Sequence, residues 1–441
     1  MSGVRRAPHL GPLTREVLAI ASASRQSGGP LMKIFADPEA FARVKRLPLY
    51  VFTITDRLRD EAIARGVDVV DFSMGNPDGS APPPVIEALH RASSDKRYHR
   101  YMNPRGLPEL REAAARWFKR RHGVELDPER EVCMTIGSKE GIGHAMMAML
   151  SEGDSVLAPT PTYPIHAFGA ILAGGETIPV NVGPGVDFME SLVVATEKSE
   201  RRPRGLVVNF PANPSSAVAT PELFQQIVRF AASRDLFIVS DLAYCDIVFE
   251  GTAPSMLQVP GARERTLEFM SLSKSYNMAG WRVGIAAGNA ALVAAMARVK
   301  SYLDYGLFGA TQVAARVALD ECDAYAVENR DRYKLRRDAL CKHFAAAGWK
   351  IPPPAATMFA WAPLPEQVRH MSSLDFARRL IDEAGVAVAP GIGFGPAGEG
   401  YVRIALIEDE PRIKLAAERI GELLARASRE RPHGMALPRT A

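Results

Sequence analysis

Cysteine is scarce: four in 441 residues, Cys133, Cys245, Cys322 and Cys341. They share no CxxC spacing and stand beside no histidine-rich motif, which argues against a disulfide scaffold and against a metal centre. Free thiols in a reducing cytoplasm are the expectation. Long basic blocks are missing as well. The 54 Lys and Arg residues nearly balance 50 Asp and Glu, for a net charge of +4, so nothing points to nucleic acid. RRPR (201–204) and KRRH (119–122) read as solvated turns and helix ends. No stretch of 18 uncharged apolar residues stands out from what a core would use, and no membrane span is expected. The nearest, IAAGNAALVAAMA (285–297), turns at Gly288 and Asn289. Repeats and low-complexity tracts are absent. Two glycine motifs also exclude rather than suggest. GIGFG (391–395) lacks the strand and acidic partner of a dinucleotide site, and reads as a tight turn lining an active site. GSKEG (137–141) lacks the spacing of a nucleotide-binding loop.

What remains is enough for a large core. With 47% hydrophobic residues, the chain predicts two domains. Residues 40–66 read as a helix ending at Gly66, and VDVVDFS (67–73) as a strand entering a turn-rich crossing. GLPELREAAARWFKRRHG (106–123) puts Leu107, Leu110, Ala114, Trp117 and Phe118 at helical spacing, with Gly123 as a stop. Between 131 and 288, seven strand-like runs alternate with helical patterns: EVCMTI, DSVLAP, TIPVNV, LVVNF, LFIVSD, LEFMS and VGIAAG. That alternation predicts an α/β fold with a mostly parallel sheet covered on both faces, its ligands at the carboxyl ends of the strands. After an Arg- and Lys-rich helix (328–346), WKIPPPAATMFAWAPLP reads as a strand pair broken by prolines. LDFARRLIDEAGVAVAPG, YVRIALI and EPRIKLAAERIGELLARA complete a small α+β domain.

The stretch 271–284, SLSKSYNMAGWRVG, follows an apolar strand run and places Lys274 where a strand spills into a loop. A lysine amine is nucleophilic only when its neutral form is accessible, through burial or nearby positive charge. Arg282 can supply that charge. Ser271, Ser273 and Arg282 together suit a phosphate dianion. A lone lysine would be a surface residue; the chain upstream argues otherwise. LFIVSDLAY (236–244) is an apolar run ending in Asp241, a carboxylate able to keep a pyridine nitrogen protonated, and Tyr244 follows to donate to a ring oxygen. Asn213, after GLVVNF, can reach the same oxygen. Tyr163 offers a ring to stack. TIGSKEGIGHAMMAML (135–150) is a strand end, a Gly-Ser turn and a helix, so Ser138 and the amides near Lys139 form a helix N-terminus suited to phosphate. A lysine for an aldehyde, a phosphate cradle and a carboxylate for a ring nitrogen describe a site for pyridoxal 5'-phosphate. Arg403, in YVRIALIED, is the choice for a substrate α-carboxylate, which a guanidinium holds in one plane.

In order and spacing these pieces resemble the class I/II pyridoxal-phosphate aminotransferases of fold type I, over roughly residues 40–428. Within them the chain is most similar to the bacterial glutamate-pyruvate (alanine) aminotransferases, in RLPLYVF, DFSMGNPDG, TIGSKEG, DLAYCDIVFEG, VPGARE, LSKSYNMAGWR, KSYLDYG and GIGFG. The resemblance implies a large cofactor-binding domain over 76–325 with a seven-stranded sheet. It implies a small domain built from both chain ends, 32–75 and 326–428, and flexible tails at 1–31 and 429–441, with Met32 a possible start. It implies that Gly75 offers its backbone to the substrate, that Tyr50 lines the pocket, and that Tyr101 reaches the phosphate of a neighbouring subunit in a homodimer. It implies amino-group transfer, with alanine and 2-oxoglutarate giving pyruvate and glutamate. Methionine, aromatic or diaminopimelate-type substrates, or C-S bond cleavage, stay open, because fold and cofactor site do not settle reaction choice. A non-catalytic regulator would need a DNA-binding module, for which thirty mostly irregular leading residues leave little room.

Overall fold

A computed structural model describes residues 41–48 and 51–430. The expected tails at 1–31 and beyond 430, the possible start at Met32, and Tyr50 lie outside the described residues. Residues 41–48 hold one helical turn, Ala42–Lys45. The next helix is Val51–Ala64, so the single helix expected over 40–66 is two pieces. Pro48 accounts for the break, since proline lacks an N–H and biases the residue before it away from helix.

Among the described residues twelve strands follow in chain order: β1 (Val70–Asp71), β2 (Val132–Thr135), β3 (Ser155–Thr160), β4 (Glu176–Asn181), β5 (Gly205–Asn209), β6 (Phe237–Asp241), β7 (Thr266–Ser271), β8 (Gly284–Gly288), β9 (Phe359–Pro363), β10 (Val386–Ala387), β11 (Ala389–Pro390) and β12 (Tyr401–Ala405). Seven form one sheet in the order β2-β8-β7-β6-β5-β3-β4. Only β8 runs against its neighbours; the other pairings are parallel. This is the α/β, mostly parallel architecture expected of the fold type I enzymes, and all seven runs read from the sequence are strands.

The strands are apolar throughout because both faces are covered. Val207, Val239 and Phe269 face Ile142 and Met146 of the helix Ser138–Met149. Their neighbours Leu206, Val208 and Ile238 face Phe224 and Ile227 of the helix Pro221–Ser233. Alternate residues thus serve opposite layers, the period-two rule of a strand. A third core gathers β1, β9, β10 and β12 around the long helix Asp323–Ala346 and the last helix, Glu410–Glu430.

Three expectations change in this C-terminal region. WKIPPPAATMFAWAPLP holds one strand of a sheet, β9, together with a single bridge from Ala356 to Val248. Pro352–Pro354 have no N–H groups for a ladder, which removes the other half of the expected pair. The boundary expected between 325 and 326 falls inside the continuous helix Asp323–Ala346. Residues 429 and 430, expected in the flexible tail, continue the last helix, where Glu430 pairs with Arg379 at 2.8 Å. Among the described residues no helix is long and apolar enough to cross a membrane, and all four cysteines are free thiols.

Candidate active site

The sheet brings the site residues to one edge. Asn209 and Asp241 are register partners at the carboxyl ends of β5 and β6. Ser271 ends β7 and pairs with Gly284, the first residue of β8, while Thr135 at the end of β2 pairs with the same glycine. Because β8 runs antiparallel, its leading loop, with Arg282, meets the ends of β2 and β7. Ser138 and Tyr163 follow the ends of β2 and β3. From the C-terminal half come Arg403 on β12 and Phe359 on β9. The result is a cavity of ≈ 170 Å³ lined by Gly75, Ser138, Lys139, Tyr163, Asn213, Asp241, Tyr244, Ser271, Ser273, Lys274, Arg282 and Arg403, all expected from the sequence, and by Met74, Asn209, Ala243, Ala279 and Phe359, which were not.

Lys274 sits in a one-turn helix, Leu272–Ser275, whose start is capped by Ser271 Oγ accepting from the Ser273 N–H at 3.2 Å. Its Nζ donates to the Gly75 carbonyl at 2.8 Å. Burial, with Arg403 and Arg282 adding positive charge, lowers this amine from 10.5 to about 7. Charge cannot be hydrated there, so the neutral, nucleophilic form is favoured. Gly75 cannot be replaced without movement, since a Cβ there would stand 2.5 Å from the Phe359 ring.

At the helix start, Gly137 takes a left-handed φ of 75° and Arg282 one of 58°. The Arg282 guanidinium donates to the carbonyls of Ala279 (3.1 Å) and Ile136 (3.2 Å), which fixes it over the first turn. A Cβ on Gly137 would lie 2.5 Å from that guanidinium, so glycine is what admits it. Glu140 steadies the turn from below: it accepts from the Ile136 N–H at 2.8 Å and from Lys300 Nζ at 3.0 Å. Lys139 is lowered by burial and by Arg282, and its ammonium stands 5.7 Å from the Tyr163 ring.

Asp241 is 4% exposed. One carboxylate oxygen accepts from the Ala243 N–H at 3.1 Å and the other lies 2.9 Å from His166 Nε2. A carboxylate only accepts, so Nε2 carries the proton, and His166 Nδ1 faces the Thr162 hydroxyl at 2.7 Å. His166 was not singled out from the sequence; it stands in the first turn of the helix Pro164–Leu172, and Thr162 lies in the loop just before that helix. His166→Ala strips Asp241 of a charge-assisted bond inside the fold. The expected result is a fall in kcat of roughly tenfold or more, with faster cofactor loss on dialysis, checked by steady-state rates and retained absorbance.

The substrate side is equally ordered. Arg403 is 2% exposed, donates to Asn213 Oδ1 at 3.1 Å and to the Ser73 carbonyl at 3.0 Å, and lies 4.1 Å and 4.8 Å from the Phe359 and Phe394 ring centres. Phe394 belongs to GIGFG, so that turn does adjoin the site. Asn213 Nδ2 points at the Tyr244 hydroxyl, 3.4 Å away, and burial raises the Tyr244 phenol, keeping it protonated. Tyr101 is apart from the cavity: 87% exposed, with its ring 5.0 Å from Tyr305.

A buried amine of lowered basicity, a guanidinium beside a helix N-terminus, and a carboxylate in the same cavity with acceptor capacity left on its oxygens fit pyridoxal phosphate in its aldehyde, phosphate and ring nitrogen. Comparison with known proteins agrees. Residues 67–420 match the family model "Aminotransferase class I and II". The chain is 48% identical over 377 residues to the glutamate-pyruvate aminotransferase AlaC of Escherichia coli (strain K12), covering 85% of this chain and 92% of that protein. It is 42% identical to the LL-diaminopimelate aminotransferase of Desulforudis audaxviator (strain MP104C), covering 88% and 98%. Among solved structures, a Thermus thermophilus aspartate aminotransferase double mutant superimposes with a TM-score of 0.81 at 31% identity, over 87% of this chain and 99% of that one. A pyridoxal phosphate-dependent enzyme, this chain belongs to the class I and II aminotransferase family.

Proposed function

We propose that the enzyme moves the amino group of alanine to 2-oxoglutarate, giving pyruvate and glutamate, with Lys274 as its reactive amine. The observation that carries an α-amino acid as substrate is Arg403. A buried guanidinium held from behind by Asn213 and Ser73 presents its fork in one plane, as a carboxylate requires. The alanine assignment rests on the 48% identity to AlaC, and a methyl side chain suits walls made by Met74 and Phe359.

Pyridoxal phosphate, when bound, supplies an aldehyde for the amino group and a cationic ring that takes up the electron pair left at the substrate α-carbon. The protein's residues do the rest. Arg403 would hold the α-carboxylate, and Lys274 Nζ, whose basicity is lowered by burial, would take the proton from the substrate α-carbon and deliver it to the carbon on the other side of the amino nitrogen. Asp241, oriented by His166 and the Ala243 N–H, would lie against the ring nitrogen. Asn213 and Tyr244 would bind the ring oxygen, and Ser138, Ser271, Ser273, Arg282 and the helix amides, which line the same cavity, would hold the phosphate.

A second reading, transfer from LL-diaminopimelate, is favoured by the 42% identity to that enzyme. Steady-state rates with 2-oxoglutarate decide between them. The alanine reading expects kcat/KM for alanine well above that for LL-diaminopimelate; the reverse order would transfer the assignment. A cytoplasmic homodimer belongs to the same proposal. Its support is the exposed pair Tyr101 and Tyr305, whose rings lie 5.0 Å apart, with exposed Tyr302 and Phe308 three residues to either side of Tyr305 in sequence. In such a dimer Tyr101 would reach the second subunit's phosphate site.

A further inference from the structure

We infer that Asn329, acting through Asn277 and Tyr325, is a positioning residue that holds Lys274 in register with the loop 75–80 facing it. The inference rests on the proposal that Lys274 is the reactive amine. A one-turn helix leaves its last carbonyls without intrahelical donors, and Leu272–Ser275 is only four residues long. Asn329, 1% exposed on the helix Asp323–Ala346, answers this. Its Nδ2 donates to the Lys274 carbonyl at 2.8 Å and reaches that of Ser275 at 3.5 Å.

The other side of Asn329 is also engaged. Its Oδ1 accepts from Asn277 Nδ2 at 3.3 Å, and the same amide donates its second hydrogen to the Tyr325 hydroxyl at 2.7 Å. Tyr325 in turn donates to the Ser80 carbonyl. Every donor meets an acceptor, so the direction of the chain is determined by its ends: Lys274 O and Ser80 O can only accept. Asn277 adopts φ 51°, a left-handed conformation that asparagine tolerates better than most residues.

Both ends of the lysine are therefore tied to one loop. Its amine donates to Gly75 O and its main chain is joined through Asn329, Asn277 and Tyr325 to Ser80. Further along the same helix, Arg336 pairs with Asp78 at 2.7 Å. Tyr325, Asn329 and Arg336 recur at helical spacing, so a single helix face reads residues 78–80 and the lysine turn together. A lysine has four rotatable side-chain bonds, and a main-chain displacement of about 1 Å at its base can cost on the order of a hundredfold in rate.

The test uses cofactor-loaded Asn329→Ala and Asn329→Asp. Aspartate keeps an acceptor for Asn277 and has no N–H for the Lys274 carbonyl. A positioning role expects both variants to lower kcat by roughly tenfold or more with KM for alanine within about threefold. It also expects the midpoint of the pH titration of the visible cofactor band to move by about half a unit or more. A kcat within twofold of wild type and an unmoved midpoint, whatever the melting temperature does, would overturn it and leave Asn329 a filler of buried bonds. If neither variant folds, Tyr325→Phe decides: it spares Asn329 and cuts the link to Ser80, so a shifted midpoint supports the inference and an unshifted one with full kcat overturns it. Lys274→Ala separates the two levels. A titrating visible band in that variant removes the lysine assignment itself, whereas its loss beside wild-type Asn329 variants removes only this inference.

Discussion

Lys274→Ala is expected to lower kcat by more than about a thousandfold, the scale set by removing a general base that is also the nucleophile, and to abolish the visible band of the loaded protein. The amine is buried, faces Gly75 O, and is lowered to about 7 by burial, Arg403 and Arg282. The sign of its pH dependence follows. Above about pH 7 the amine is neutral and can take a proton; below it the amine is already protonated. Log kcat should therefore fall by about one for each pH unit below that value. Rates measured from pH 5 to 9 at saturating substrate check this. A wild-type profile that is flat through pH 7 would place the proton transfer elsewhere.

Arg403→Ala should act on binding. Losing a bidentate contact to a carboxylate, about 2 to 3 kcal/mol for charge-assisted bonds, corresponds to a KM increase of roughly 30- to 150-fold for both the amino acid and the oxo acid. Asn213 and Ser73 would also lose a buried donor, so some fall in kcat should accompany it. Arg403→Lys should recover little, because an ammonium cannot satisfy both backing acceptors and a planar carboxylate at once. Initial rates over a range of alanine concentrations measure both variants. An unchanged KM would assign the carboxylate to another cation.

The features legible in the sequence were those written in local pattern. The seven apolar runs are continuous because the sheet is covered on both faces, and Asp241, Ser271 and Lys274 announce themselves by ending such runs or following them. Partnerships made only by packing were not legible. Nothing near His166 says that its ring meets a carboxylate 75 residues away. Nothing near Asn329 says that it closes the lysine turn, 55 residues distant. Proline content was legible and underused: Pro48 splits the first helix, and Pro352–Pro354 leave β9 without the second strand expected beside it. Tyr101, expected at a phosphate site, is instead an exposed residue outside the cavity of its own chain.

The most direct test of a lysine-based amino-transfer enzyme is the visible spectrum of the purified protein through one half-reaction. The protein loaded with pyridoxal phosphate should be yellow. Alanine added without any oxo acid should bleach the band in proportion to the enzyme present, with one pyruvate released per site, and 2-oxoglutarate should restore it. A band that survives alanine, glutamate and LL-diaminopimelate alike, or a protein that takes up no pyridoxal phosphate at all, would contradict the account.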